Sequence, residues 1–276
     1  MSVKSRNILL FAVMGALLIA VGIIQSANVA LAILNLCLIS AIMTLGVNIQ
    51  WGYAGLFNAG VMGFAALGGL AAVLVSFPPV SDAWAVGGAR AMLGVVTGAI
   101  SIVLAILAFK RVPGSRRVRG WAAALVALTG IILMRLILDP AVEAIEAVEP
   151  AKTGFLGGLG LPIALSWVAG GAFAALAAWG IGKIALGLRS DYLAIATLGI
   201  SEIIIYFLKN EDWLVRGVKN VNGLPRPVPY EIELQKTLWV QELAAQFDFN
   251  VIELSSIIVK LSYAGLFIVV LAIVFW

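Results

Sequence analysis

Residues 7–81 read NILLFAVMGALLIAVGIIQSANVALAILNLCLISAIMTLGVNIQWGYAGLFNAGVMGFAALGGLAAVLVSFPPVS and contain no Asp, Glu, Lys or Arg. One helical crossing of the hydrocarbon core needs about 20 predominantly apolar residues, so this run is long enough for about three crossings. Soluble domains carry about 25% charged residues and do not leave such a stretch uncharged. The run therefore predicts a membrane protein whose function is performed across or within a bilayer.

The composition of the whole chain supports the same class of protein. Of its 276 residues, 62% are hydrophobic and 12% are charged, and the mean hydropathy is +1.08. The alternation of apolar and polar residues that is typical of an outer-membrane barrel is absent from the sequence. We therefore predict an all-α, polytopic bundle of transmembrane helices. The net charge of +4 is explained by loop Lys and Arg that follow membrane topology, so no nucleic-acid partner is predicted.

Hydrophobic runs predict about eight membrane spans in one transmembrane domain that covers residues 1–276. The predicted spans are 7–26, 29–48, 56–77, 91–109, 120–138, 161–182, 192–208 and 255–276. With the N-terminus in the cytoplasm, four inner segments carry nine Lys and Arg and one acid, Asp191. These inner segments are 1–6, 49–55, 110–119 and 183–191. Because cytoplasmic loops carry an excess of Lys and Arg, this orientation is favoured over its inverse.

The segment 209–254 is predicted to be an extracytoplasmic loop. Its first half, from Asn220 to Tyr230, is rich in Gly and Pro and is not expected to form a regular helix. Its second half, from Glu231, mixes charges with apolar residues at a spacing that roughly suits an amphipathic helix. Two interpretations remain open for this half: a helix lying on the membrane surface, or a docking surface for an external partner.

The connection from Asn48 to Gly60, NIQWGYAGLFNAG, interrupts the apolar pattern with three glycines and two Asn. Backbone that breaks at membrane depth is tolerated where it lines a cavity, because amides left unsatisfied in hydrocarbon cost several kcal/mol each. Transporters use such broken helices to bind substrate. We therefore predict a broken or re-entrant segment near 48–60, with these pathway candidates and break glycines: Asn48, Tyr53, Asn58, Gly52, Gly55 and Gly60. The alternative is an inner-surface turn in which Trp51 and Tyr53 are interfacial anchors.

Glu202 is the one acid inside a predicted span, ten residues from the start of that span at Tyr192. A carboxylate near the middle of a bilayer costs several kcal/mol unless it is paired, protonated or hydrated, so it marks a pathway or a hydrogen-bond network. Thr197 lies about one turn before Ser201, the neighbour of Glu202 in sequence. We take Thr197 and Glu202 as pathway candidates, with hydrogen bonding between helices as the alternative.

The sequence offers little for chemistry. It contains no His, and its single cysteine, Cys37, lies in an apolar run, so neither a metal site nor a cofactor is predicted. A GxxxxGK[ST] loop is absent, so nucleotide hydrolysis is expected on another chain and the protein is not predicted to be an enzyme.

Two segments and a loop resemble a known family. GYAGLFNAGVMGFAALGG, from Gly52, is similar to a motif found early in permeases of branched-chain amino-acid ABC importers. LRSDYLAIATLGISEIIIYFLKN, from Leu188, is similar to the second hallmark of that family, and VKNVNGLPRP, from Val218, to its Asn-Gly-x-Pro loop. The pattern resembles the M-type permease more than its H-type partner. On this chain the motifs fall on Gly52, Tyr53, Ala54, Gly55, Gly60, Asp191, Tyr192, Thr197, Gly199 and Glu202.

The resemblance implies a permease subunit in a bacterial inner membrane that moves branched-chain amino acids, or related solutes such as urea and amides, by alternating access. The partners it implies are a second homologous permease, two cytoplasmic ATPase subunits, an external solute-binding protein and membrane lipid.

The chain departs from the family pattern at several positions. Val61 stands where the family often has His or Gln, and Asn58 where it often has Ser, while 91–138 resembles an expansion. Family members continue beyond the last span, so we expect a C-terminally truncated chain.

Two other functions remain open on the sequence alone. The first is an ion-coupled secondary transporter or channel that uses Glu202. The second is an integral membrane subunit without a transport role.

Overall fold

The computed structural model describes residues 2–150 and 152–276. Helices make up 78% of the chain, and the described residues form no strand. The predicted all-α class is confirmed. Seven helices are long and apolar enough to cross a membrane. They are α1 (Val3–Ile24), α2 (Ala27–Tyr53), α4 (Ser81–Arg111), α5 (Arg116–Glu146), α6 (Ile163–Ala185), α7 (Ser190–Asn210) and α11 (Val251–Phe275). The shorter helices are α3 (Val61–Ser76), α8 (Asp212–Val215), α9 (Glu231–Lys236) and α10 (Leu238–Gln246).

The predicted span 56–77 is the exception among the eight. It is helical only from Val61 to Ser76, a length of about 24 Å at 1.5 Å per residue, which is short for a crossing of about 30 Å. Residues 54–60 before it are not helical. Gly55 adopts a positive φ of 66°, a left-handed conformation that glycine adopts at little cost. The break predicted near 48–60 is therefore present, and it shortens the third span at its start.

The helices α4 and α5 extend well beyond the predicted spans 91–109 and 120–138. Charged residues that limited the hydrophobic runs, such as Arg90 and Asp139, lie within the helices. A helix continues from hydrocarbon into the headgroup region without losing its backbone hydrogen bonds, so a change in polarity does not end it.

The chain divides into two compact units. Unit 1 contains residues 2–59, Leu188–Ile195 and Arg226–Trp276. Within it α2 packs against α1 and α11. The Lys260 ammonium donates to the carbonyl oxygen and to Oδ1 of Asn28, at 3.1 and 3.0 Å. Both groups are satisfied in a region where isolated charges are costly.

Unit 2 contains residues 60–187 and 196–225. Its largest helix pair is the hairpin of α4 and α5, and the helix ends on either side of the connecting turn carry Lys110, Arg111, Arg116, Arg117 and Arg119. Glycines bring the two helices together. A Cβ at Gly94, Gly98 or Gly130 would lie within 3.0 Å of the opposite helix, against Leu138, Met134 and Ser101 respectively. Small residues allow this close approach between membrane helices.

The segment after α7 behaves as its two halves predict. Residues 217–230 contain no helix, whereas the second half forms α9 and α10. These two short helices bury Leu234, Val240 and Ala244. Leu238 and Trp239 are exposed on the same segment, so it has an apolar surface outside its own core.

Candidate functional site

The segment between α2 and α3 is an ordered turn within unit 1. Its hydrogen bonds converge on Gln50, whose carbonyl accepts from the Leu56 amide at 2.9 Å and whose Oε1 accepts from Nδ2 of Asn58 at 2.9 Å. Trp51 and Phe57 meet edge to face, with ring centroids 4.9 Å apart. Gly55 provides the positive φ that reverses the chain between them. The α2 helix therefore ends in a defined loop rather than by fraying.

The three candidates on this segment differ in burial. Asn48 is exposed, and its Oδ1 lies where a Cβ on Gly52 would stand, so glycine is needed for that arrangement. Tyr53 is 85% exposed. Asn58 is half-buried and bonded to Gln50. Asn48 and Tyr53 therefore present polar groups outward, while Asn58 shapes the loop.

The α3 helix begins against α7 within unit 2. A Cβ at Gly60 would overlap the Thr197 carbonyl oxygen, and one at Gly63 would stand 2.9 Å from Cα of Ser201. The Gly63 amide donates to Oγ of Ser201 at 2.8 Å. The same amide also donates to the Gly60 carbonyl at 3.2 Å, so the first turn of α3 is held both by its own backbone and by α7. Only glycines allow so close an approach to the α7 backbone.

This contact lies part-way along α7. Thr197 and Ser201 are the eighth and twelfth residues of a 21-residue helix, so they lie about 10 and 17 Å from its start. Both side chains are buried, at 7% and 4% exposure. Gly60 and Gly63, at the start of α3, therefore meet α7 at a depth well inside a membrane span.

Glu202 follows Ser201 but lies on another face of α7. Its side chain is exposed, and no Lys or Arg of the described residues forms an ion pair with it. The neighbours four residues away on this face are apolar or aromatic, with Leu198 49% and Tyr206 70% exposed. The structure thus separates the two α7 candidates: Thr197 packs towards α3, and Glu202 projects away from the described fold.

Sequence reasoning missed Gln50, Gly63 and Ser201 as site residues. The signals were present: Gly60 and Gly63 are three residues apart, and Thr197 and Ser201 four apart, and each spacing places both residues on one helical face. The role of Gln50 depends on a side-chain contact across the turn, which the pattern alone does not indicate.

A comparison with known proteins gives one partial similarity. Over 77 residues the chain is 38% identical to the high-affinity branched-chain amino acid transport system permease protein LivM of Escherichia coli (strain K12). The matched part covers 28% of this chain and 17% of the length of LivM. No family model matches the chain, and no solved structure matches it.

The similarity and the seven long apolar helices support the same class of protein. The chain is a multi-pass membrane protein with an inner-membrane location, and it is similar in part to a transport permease.

Proposed function

We propose that the chain is a permease subunit of an ABC importer that moves branched-chain amino acids, or related small polar solutes such as urea and amides, by alternating access. Separate ATPase subunits would supply the energy, a second homologous permease would complete the pathway, and an external binding protein would deliver the solute. The partial similarity to LivM supports a permease, and the substrate in the name of LivM suggests the solute class.

The break before α3 supports a transport role. With the N-terminus and the basic turn of α4 and α5 both in the cytoplasm, the chain must cross an odd number of times between α2 and α4. The α3 helix covers about 24 Å, which leaves about 6 Å of the hydrocarbon thickness of about 30 Å. A crossing made of α3 and the non-helical residues 54–60 before it therefore fits. Discontinuous helices of this kind form substrate sites in transporters.

The observation that carries the proposal is the position of Glu202. Its carboxylate stands about 18 Å along α7, on an exposed and otherwise apolar face. Facing lipid it would cost several kcal/mol, so this face is expected to meet either another subunit or a hydrated pathway. Both are features of a permease that pairs with a homologous subunit. In the pathway, Glu202 would receive the solute's ammonium or amide N–H groups.

The other candidates would support the same pathway. Asn48 and Tyr53 would offer an amide and a phenol to the solute on the inner side, and Asn58 would hold the loop through Gln50. Thr197 would fix the start of α3 against α7. The glycines Gly52, Gly55 and Gly60 would permit the break.

Uptake of labelled L-leucine tests the proposal. Glu202→Gln is introduced into the chromosomal copy, and Glu242→Gln, an exposed position on α10, is the matched control. A charge-assisted hydrogen bond contributes about 1.5–3 kcal/mol, so uptake by the Glu202 variant should fall roughly tenfold or more. Membrane insertion, measured by the amount of full-length protein in the membrane fraction, should be unchanged. Equal uptake by both variants would remove Glu202 from the pathway.

A second candidate function is an ion-coupled transporter or channel that uses Glu202 as a proton or cation site, because membrane carboxylates serve that role elsewhere. The two functions separate by energy source. Uptake that survives an uncoupler and stops when ATP is depleted supports the importer. The reverse result supports ion coupling and would contradict the proposed function.

A further inference from the structure

A pocket of about 360 Å³ lies beside the C-terminal half of α7, within unit 2. Small-molecule sites have volumes of roughly 300–1,000 Å³. One wall is apolar and comes from α3 and α7, with Leu70, Val73, Ile205 and Leu208 as its larger side chains. The end of α8 and the segment after it, with Val215 and Val218, also line the pocket. The pocket therefore has the apolar surface that an aliphatic group needs.

Two ammonium groups stand at this pocket. Lys219 is bonded to Asp212 at 2.8 Å, so its charge is largely balanced. Lys209, the penultimate residue of α7, forms no ion pair with any carboxylate of the described residues. The Lys209 ammonium group can therefore pair with an anionic ligand beside the apolar wall.

The wall after α8 is held in shape before any ligand binds. Arg216 adopts a φ of 61° and is buried to 7% exposure, and its Nη1 donates to the Asn220 carbonyl at 2.8 Å. Its guanidinium lies 5.8 Å from the centre of the Phe155 ring. The Lys219 amide donates to the Arg216 carbonyl at 2.9 Å. This wall is therefore largely formed before a ligand binds. Binding does not have to bear the entropy cost of ordering the segment, which favours affinity.

We propose that this pocket binds a small aliphatic carboxylate, with the carboxylate against the Lys209 ammonium and the aliphatic group against Leu70, Val73, Ile205 and Leu208. The inference rests on the proposed function, for which the pocket would be an acceptor site at the outer end of α7. An aliphatic amino acid has both parts of the required chemistry. The carboxylate gains a charge-assisted hydrogen bond, and the side chain leaves water for an apolar wall.

Binding to the full chain in lipid nanodiscs tests this site, with tritiated L-leucine as the reporter. Two competitors separate the groups of leucine: 4-methylpentanoate keeps the carboxylate and lacks the amino group, whereas leucinamide lacks the carboxylate. We expect 4-methylpentanoate to displace leucine at concentrations at least roughly tenfold lower than leucinamide, because only the former carries a carboxylate that can pair with the ammonium charge. Equal displacement by the two compounds would overturn the proposal.

Two variants with matched controls locate the site. Lys209→Gln should weaken leucine binding roughly tenfold and remove the preference for carboxylates, as expected for a charge-assisted bond. Lys236→Gln, on an exposed residue of α9, should bind as wild type. Gly69→Leu should abolish binding by filling the pocket, since Gly69 lines it and a Cβ there meets open space. Gly171→Leu, at an equally open glycine on α6, should leave binding unchanged.

The outcomes separate this site from the proposed function. One possible result is that leucine binding is carboxylate-selective and depends on Lys209, while cells that carry the chain show no leucine uptake that depends on it. This result supports the pocket and contradicts the importer. Another possible result is that uptake depends on Glu202, while Lys209→Gln and Gly69→Leu leave leucine binding in nanodiscs unchanged. This result supports the importer and overturns the pocket. Absence of any leucine binding in nanodiscs also overturns it, and would leave Lys209 as a contact for an acidic side chain of an external protein.

Discussion

Two helix pairs of unit 2 are packed on glycine, and they use it differently. In the hairpin of α4 and α5, each glycine faces a side chain of the opposite helix, and the buried Ser101 hydroxyl donates to the Gly98 carbonyl of its own helix at 2.7 Å. Where α3 begins, Gly60 faces the backbone of α7, and the Ser201 hydroxyl accepts from the Gly63 amide of the other helix. At Gly98 the hairpin can adjust by moving the flexible Met134 side chain, whereas the contact at Gly60 is fixed by main-chain atoms of α7. We expect the second pair to be the less tolerant of substitution.

The sharpest way to break this comparison is Gly60→Val. The new side chain would meet the Thr197 carbonyl, which cannot move without displacing α7, so we expect overpacking to cost about 3 kcal/mol or more. Gly199→Val on the same α7 helix is the control, because a Cβ there meets nothing within 4 Å. Unfolding in mixed micelles by titration with sodium dodecyl sulfate measures both. Equal midpoints for the two variants would show that the contact at Gly60 is not close.

A smaller effect is expected from Ser201→Ala. It removes the shorter of the two hydrogen bonds of the Gly63 amide and leaves the one to the Gly60 carbonyl at 3.2 Å, so the free energy of unfolding should fall by about 0.5–1.5 kcal/mol. Ser101→Ala should change it by less than about 0.5 kcal/mol, because the Gly98 carbonyl that this hydroxyl contacts is already in a helical backbone. The same titration compares the two serines, and a larger loss at Ser101 would reverse the proposed difference between the pairs.

A small effect is also expected from Gly98→Ala in the hairpin. The added methyl group would meet Sδ of Met134, the flexible part of an adaptable side chain, so we expect a loss below about 1 kcal/mol. Leucine uptake should be unaffected, since neither helix contributes a pathway candidate. A loss as large as that of Gly60→Val would show that the hairpin is as rigid as the α3 contact.

Much of the fold was predictable because a bilayer imposes strong rules on a sequence. Hydrophobic runs identified the seven long helices, and the glycines and Asn residues of 48–60 identified the interruption before α3. The predicted α3 was too long, because hydrophobicity continues from Leu56 to Gly60 while the backbone there is not helical. Hydropathy reports polarity, and only the local conformation shows where a helix begins.

The candidate site was less predictable. The sequence indicated that Thr197 and Glu202 lie near mid-span, but which face of α7 packs on α3 depends on the glycines of another helix. Thr197 is therefore buried and Glu202 exposed, although they are five residues apart. The pocket near Lys209 was not predicted at all, because its wall is formed by irregular backbone around Arg216.

The turn between α4 and α5 also has an electrical consequence. Five cationic side chains flank it on the adjoining helix ends, and no acid occurs between Asp82 and Asp139 to offset them. Moving one elementary charge against a membrane potential takes about 2.3 kcal/mol per 100 mV, so dragging this turn outward would take on the order of 10 kcal/mol per 100 mV. In a cell with a membrane potential that is negative inside, this energy would favour a cytosolic position for the turn. It would thereby set the orientation of the helices that follow.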